Sequence, residues 1–288
     1  MIKNKSSKPK RYLTTILVYI ITVIVCFIFF FPCLWIILAA FSGTGSIYNF
    51  NGFFPPNFSL KTFEQLFTGV TDVSGDTVMY PYMTWFLNTL IIACATAVIG
   101  TLLLISTAYV ISRFEFKARR KLMKGALVLG MFPAFMGMTA VFIMCTQFQL
   151  LNNLWGPILM YSATAPVGYL VQKGFFDSIP TSIYEAARID GVSNFKAFYK
   201  ITLPLSKPIL VYTVLTQFTW PWSDFILPKL LLQDKSNYTV AVGLMTLPDT
   251  EFSRFCAGSV FIAVPIVLLY FFVSKYMVNG LTAGAVKG

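Results

Sequence analysis

An all-α integral membrane protein with six transmembrane helices is what this 288-residue sequence predicts, and three observations carry that expectation. Hydrophobic residues make up 57% of the chain and charged ones only 11%, with a mean hydropathy of +0.72, which is far too apolar for an ordinary soluble domain. Charge-free runs of roughly 20 residues or more recur along the chain, the length a helix rising about 1.5 Å per residue needs to cross the hydrocarbon core. The runs are continuously apolar rather than alternating with period two, which favours helices over the strands of a barrel.

The elements follow in order. Residues 1–13 form a basic tail with Lys3, Lys5, Lys8, Lys10 and Arg11, and the charge-free run 14–41 follows it. A cleaved signal peptide has an apolar core of only about 7 to 15 residues, so this longer run reads as a retained first span. Residues 42–84, rich in Gly, Asn, Phe and Pro, form one long outer loop that caps a pore mouth, meets a partner or serves as a passive connector. Trp85 to Ile111 is the second span. Gly125 to Gln172 carries no charge, and as one helix it would be about 70 Å long, so it is expected to fold into two spans. The break falls at LLNNLWGP, where Asn152, Asn153, Gly156 and Pro157 supply turn chemistry. Pro208 to Leu232 and Phe255 to Ser274 complete the six.

Six spans put both termini on one side, and the basic residues choose the side. All 22 lysines and arginines except Lys61, Lys229, Lys235 and Arg254 fall on the face that holds the termini, which the positive-inside rule makes cytoplasmic. The net charge of +11 is then a product of topology, and a nucleic-acid partner is not expected. The chain has no histidine, and Cys26, Cys33, Cys94, Cys145 and Cys256 lie within or beside apolar runs without Cys-x-x-Cys spacing, so they read as small core residues rather than metal ligands.

One stretch departs from this apolar background. YEAARIDGVSNFKAFYKITLPLSKP, Tyr184 to Pro208, packs Glu185, Arg188, Asp190, Lys196, Lys200 and Lys207 between two apolar spans. Its grammar predicts two short helices about a tight turn: Pro180 stops the preceding run, and Ser182 with Glu185 has the spacing of a capping box. Asp190-Gly191 closes the first helix, with glycine free to take a left-handed conformation, and Ser193 or Asn194 caps the second, which Pro204 ends after Leu203. Ala186 and Ala187 keep the first helix slim, a shape that suits a groove on a partner; an amphipathic helix lying on the membrane is the alternative reading.

Glu185-Ala186-Ala187, three residues, Gly191, nine residues, then Ile201-Thr202-Leu203-Pro204 resembles the E-A-A-x-x-x-G-x9-I-x-L-P signature of ABC importer permeases at every fixed position. Trp85, Asn88 and Thr89, the stretch WPWSDFILP and the terminus NGLTAGAVKG resemble the carbohydrate-uptake type, most closely the MalG-type subunit of maltose and maltodextrin importers. The resemblance implies a MetI-like permease domain over 85–280 with a cytoplasmic EAA coupling segment at 178–205, contacting an ATPase through Glu185, Ala186, Ala187, Asp190, Gly191, Ile201, Leu203 and Pro204. It implies a second, MalF-like permease, two copies of an ABC ATPase subunit that bind ATP and Mg, and an external solute-binding protein. It also implies that the cytoplasmic tail 281–288 inserts between the ATPase subunits through Thr282, Gly284, Lys287 and Gly288. This chain carries no G-x-x-x-x-G-K-[ST] phosphate loop, in keeping with a transport subunit that is not itself an enzyme and holds no cofactor.

Trp220, Trp222, Asp224 and Asn88 are the candidates for a translocation path or gate. Tryptophans near an outer span end also serve as interfacial anchors, and Asp224 can instead hold helices together. An ion-coupled carrier is the competing class; such carriers place carboxylates at mid-membrane, whereas the only carboxylate within these spans is Asp224, near an outer end.

Overall fold

The computed structural model describes residues 8–43, 54, 57–71, 77–163 and 166–285. It is helical apart from a two-residue antiparallel pairing of β1 (Val70–Thr71) with β2 (Thr77–Val78). The chain divides into two compact units, Met1–Tyr80 with Leu247–Phe261 and Pro81–Thr246 with Ile262–Gly288.

In the first unit, α1 (Lys8–Ala40) contributes a 29-residue apolar stretch, Tyr12–Ala40, that is long enough to cross a membrane. The described residues of the loop after it are tied together by hydrogen bonds. Gly43 N–H donates to Asn57 O at 2.8 Å, Ser59 N–H to Phe41 O at 2.8 Å, and the buried Thr62 hydroxyl to Ser42 O at 2.7 Å. Phe41 stacks on Phe58 at 5.1 Å and meets Phe63 at a tilt at 5.0 Å beside the start of α2 (Lys61–Thr68), so ring contacts and backbone pairing both fix the turn.

In the second unit, α3 (Tyr82–Arg113) is the hub. Its buried face runs Trp85, Thr89, Ile92, Ala93, Thr96, Ala97, Gly100, Leu104, Ala108, and the small residues on it let neighbouring helices approach closely. Packed along it are α6 (Trp155–Ser162), α7 (Pro166–Asp177) and α11 (Lys207–Ser223). The opposite face, with Leu87, Ile91, Val98, Leu102 and Leu103, is exposed, as a span facing lipid requires.

Three of the six expected spans are not continuous helices. Only α1, α3 and the stretch Asp249–Lys275 are long and apolar enough to cross singly among the described residues. The third expected span is α4 (Arg119–Gly130) and α5 (Met138–Gln147), whose axes meet at 96° across Pro133 and a 3-10 turn at Ala134–Gly137. The fourth is α6 and α7. The fifth is α11 and α12 (Ile226–Leu231), because a straight helix would need Pro228 to donate to the Asp224 carbonyl, and proline has no N–H to give. The turn expected between the third and fourth spans is present, with Gln149 and Asn152 at positive φ, whereas Gly156 and Pro157 belong to the first turn of α6.

Candidate functional site: the EAA segment

The charged segment folds as α8 (Thr181–Ile189), a tight turn, α9 (Asn194–Ala197), a π-turn over Phe198–Thr202 and the short α10 (Leu203–Leu205). Gly191 sits at φ +75. Its N–H donates to Arg188 O at 3.0 Å and Val192 N–H to Ala187 O at 2.9 Å, the paired bonds that close a helix through a left-handed residue. Ser193 caps α9 by accepting from the Lys196 N–H.

Two expectations fail here. The capping box does not form: Pro180 occupies the cap of α8, Ser182 lies inside the helix, and no side chain caps its start. Pro204 does not end the second helix either, since the chain stays helical to Leu205. The reason is the π-turn. Leu203 N–H reaches back five residues to Phe198 O, and the widened turn relieves the clash the Pro204 ring would otherwise make with the carbonyl four residues before it.

The segment presents one face outward and buries the other. Glu185, Ala186, Arg188, Asp190 and Gly191 are exposed, and with them Ile189 at 87%, Phe195 at 79% and Tyr199 at 65%. Neither Glu185, Arg188 nor Asp190 has an ion-pair partner among the described residues. The inner face joins an apolar core of Ile105, Ala108, Tyr109, Phe176, Ile179, Tyr184 and Ala197, against which Val192, Ile201 and Leu203 pack. Of the residues implied to meet an ATPase, Ala187, Ile201 and Leu203 therefore pack into the platform, and Glu185, Ala186, Asp190, Gly191 and Pro204 are exposed on it.

The platform has a polar frame that sequence reasoning missed. Tyr109 OH donates to Asn194 O at 3.0 Å, and Tyr184 OH shares a 2.8 Å bond with Thr202 Oγ1. The Arg113 guanidinium lies 4.0 Å from the Tyr184 ring centroid and donates to the carbonyls of Phe176 and Ile179. Asp177 accepts from Ser112 Oγ at 2.6 Å and from Lys173 Nζ. Burial alone would raise its pKa, but those bonds and the charges of Lys173 and Arg119 outweigh it and hold the carboxyl below its ordinary value. A cavity of about 150 Å³ lies within this frame, lined in part by Arg113, Tyr184, Glu185 and Arg188. The available signal was an arginine at the end of a charge-free run, but it opens a basic stretch with Lys117, Arg119, Arg120, Lys121 and Lys124, which topology alone accounted for.

At the opposite end of α3 the candidates for a path or gate are occupied in structure. Asn88 is buried, and its amide donates to the carbonyls of Ser236 at 2.8 Å and Tyr238 at 3.1 Å; Trp85 Nε1 donates to Lys235 O at 2.7 Å. Asp224 accepts from Tyr161 OH at 2.9 Å and from the Ile226 N–H at 2.9 Å, which turns the chain out of α11 and into α12. Trp222 is 1% exposed against Phe86 and Phe218, so it is a packing residue rather than an interfacial anchor; Trp220 is exposed. Thr282 and Gly284 lie on the helical backbone of α14 (Phe252–Ala285), while Lys287 and Gly288 lie outside the described residues. Among the described residues no group of three or more His, Cys, Asp or Glu could hold a metal, and all five cysteines are free.

Comparison with known proteins places this geometry. The chain is 36% identical over 291 residues to the maltodextrin transport system permease protein MalD of Streptococcus pneumoniae, covering 99% of this chain and 100% of that one. It is 32% identical over 286 residues to the galactooligosaccharides transport system permease protein GanQ of Bacillus subtilis, covering 98% of each. A chain of a bacterial ABC transporter involved in the import of the acidic polysaccharide alginate shares its fold, with a TM-score of 0.75 at 20% identity over 94% of this chain and 98% of that one. Residues 105–282, which include the whole EAA segment, match the family described as binding-protein-dependent transport system inner membrane component. On that match and the full-length likeness to permease proteins, the chain belongs to this family of membrane transport subunits, which are not enzymes.

Proposed function

We propose that this chain is the permease subunit of an ATP-driven importer for an oligosaccharide of the maltose or maltodextrin type. The observation that carries the reading is the EAA segment: an unpaired Glu185 and exposed Ile189, Phe195 and Tyr199 stand around a left-handed Gly191 elbow on a packed aromatic platform. Large apolar groups raised on a rigid support and flanked by charges without partners suit a groove on another protein better than solvent. The occupant of the role is an ABC ATPase subunit, present in two copies, which binds ATP and Mg. A second, MalF-like permease completes the path, and an external solute-binding protein delivers the sugar.

The charge asymmetry of the chain supports a bacterial cytoplasmic membrane location with both termini and the EAA segment in the cytoplasm. The end of α14 and the residues after it, from Thr282 to Gly288, then reach the ATPase pair, and deleting 283–288 should impair the coupling of hydrolysis to uptake. Asp224, engaged by Tyr161 and Ile226, is a structural carboxylate in this reading and not a coupling-ion site.

Purifying the chain with its proposed partner subunits tests the assembly: an ATPase retained by wild type and lost on Glu185→Arg, then recovered by a reversed charge on the ATPase, is the expected result. Uptake by proteoliposomes holding this chain alone would sink it. Competition of ATP-dependent uptake by maltodextrins against galactooligosaccharides decides the substrate. Competition by the latter only would replace the maltodextrin assignment.

A further inference from the structure

We infer that Arg113 is the joint through which the EAA segment moves α3, a span to which no loop connects it; the inference rests on the ATPase docking proposed above. By chain connection the segment joins α7 on one side and α11 on the other, so covalent pull alone would act on those two helices. The contact with α3 is made by side chains.

Arg113 ends α3, and its one planar group meets three elements. Nη2 donates to Phe176 O, in the last turn of α7, where the helix dipole favours a cation, and, at 3.1 Å, to Ile179 O in the turn just beyond it. The guanidinium lies over the Tyr184 ring of α8, 4.0 Å from its centroid. Tyr184 is tied on by its hydroxyl to Thr202, so the first and second halves of the segment are held together beneath the arginine. Only a flat, forked cation can stack on a ring and cap carbonyls at once; a lysine would keep the charge and lose the shape.

The cavity beside Arg113 gives this contact its weight. The cavity, with Tyr109 and Arg113 of α3 and Glu185 and Arg188 of α8 on its wall, leaves space beside the arginine at the edge of the shared apolar core. A displacement of α8 reaches α3 through the Arg113–Tyr184 stack, beside the Tyr109–Asn194 bond and the apolar core that Ile105, Ala108 and Tyr109 share with Tyr184 and Ala197; of these the stack is the contact that holds α3, α7 and α8 in one group. Because α3 packs along α6, α7 and α11, moving its end shifts the whole second unit.

The test uses the assembled importer, with its partner permease, ATPase and binding protein, reconstituted with Arg113→Lys, Arg113→Gln or Tyr184→Phe. Two quantities are read: ATPase retained on purification, and ATP hydrolysed per sugar imported. For both Arg113 variants the ATPase should be retained at the wild-type level while ATP spent per sugar rises roughly tenfold, a typical size for a coupling between sites. Tyr184→Phe keeps the ring and should stay within about twofold of wild type. Spin labels at Val110 and Ser182, both exposed, should hold a constant separation through the ATP cycle in wild type and a variable one in Arg113→Lys. A wild-type ratio in Arg113→Lys would overturn the joint, and so would loss of the ATPase from that variant, which would make Arg113 a support of the fold. Failure of the unmodified chain to retain any ATPase would instead refute the docking reading and is distinguished by that control.

Discussion

The two ends of α3 are held by different chemistry. At the Trp85 end, indole and amide N–H groups donate to backbone carbonyls of one loop, at Lys235, Ser236 and Tyr238, and the Val240 N–H donates to Thr89 Oγ1 at 2.8 Å. Gly243 lies flat beneath the Trp85 ring, where any Cβ would collide with it. At the Arg113 end Arg113 and Tyr109 also donate to backbone carbonyls, but a guanidinium stacked on a ring, a bond between the Tyr184 and Thr202 hydroxyls and an ionised Asp177 are added, with a cavity beside them. Buried amide-to-carbonyl bonds under a packed indole make a fixed anchor. Exposed charges and stacked planes can slide and re-pair, which suits a surface that receives a moving partner.

The largest expected effect breaks the anchor. Trp85→Ala removes a side chain that is 1% exposed and leaves Lys235 O without its donor, at a cost of about 3–5 kcal/mol. Folded yield and thermal stability in detergent should fall sharply, and an unchanged melting temperature would deny that this end is rigid. Asp224→Asn comes next. One amide oxygen cannot accept from both Tyr161 and Ile226 as two carboxylate oxygens do, so about 1–2 kcal/mol is lost, while ATP-dependent uptake at neutral pH persists. Dependence of uptake on a proton or sodium gradient, abolished in this variant, would return Asp224 to a coupling role.

The Gly191 pair sharpens the other side of the comparison. Nothing of this chain lies within 4 Å of a Cβ built at Gly191, so Gly191→Ala reports only the strain of φ +75, about 1 kcal/mol. Gly191→Trp adds bulk at this open position, and a further loss of ATPase retention without a further loss of thermal stability measures a partner's groove. Equal behaviour of the two variants would mean that nothing docks there.

The smallest effect concerns Asp177. Its pKa is held below the ordinary value of 3.8, so its link to Ser112 and Lys173 contributes stability above that value and loses it as pH falls through the lowered one. Solvent screening of this mostly exposed group keeps the contribution under about 1 kcal/mol. Asp177→Asn should therefore cost a little stability at pH 7 and progressively less as pH falls below 3.8, as followed by thermal melts; a penalty unchanged in acid would assign the residue a role other than its charge.

Much of the EAA segment was legible in the sequence because its determinants are local. A glycine after an Asp, a serine before a short helix and slim alanines act over four or five residues, and the left-handed Gly191 and the Ser193 cap are found where that grammar puts them. The capping box and the stop at Pro204 failed for a local reason of a different kind: Pro180 already starts α8, and a π-turn makes room for the second proline. Span lengths misled where Asp224 and Pro228 interrupt an apolar run, since hydropathy counts residues and ignores missing N–H groups.

Composition and charge asymmetry determined by themselves that this is a helical membrane protein, because span length and the charge of the flanks are short-range quantities written along the chain; the EAA signature added the transport family by resemblance, and the family match agrees. Which span grips the segment, that Asn88 anchors a loop and that Trp222 is buried were decided only by tertiary structure. Arg113 with Tyr184 and Asn88 with Tyr238 are far apart in sequence, and a guanidinium or amide looks the same on paper whether its partner is water, lipid headgroup or a distant carbonyl. Folding selects that partner because a buried donor must be satisfied by whatever acceptor the packed helices bring to it.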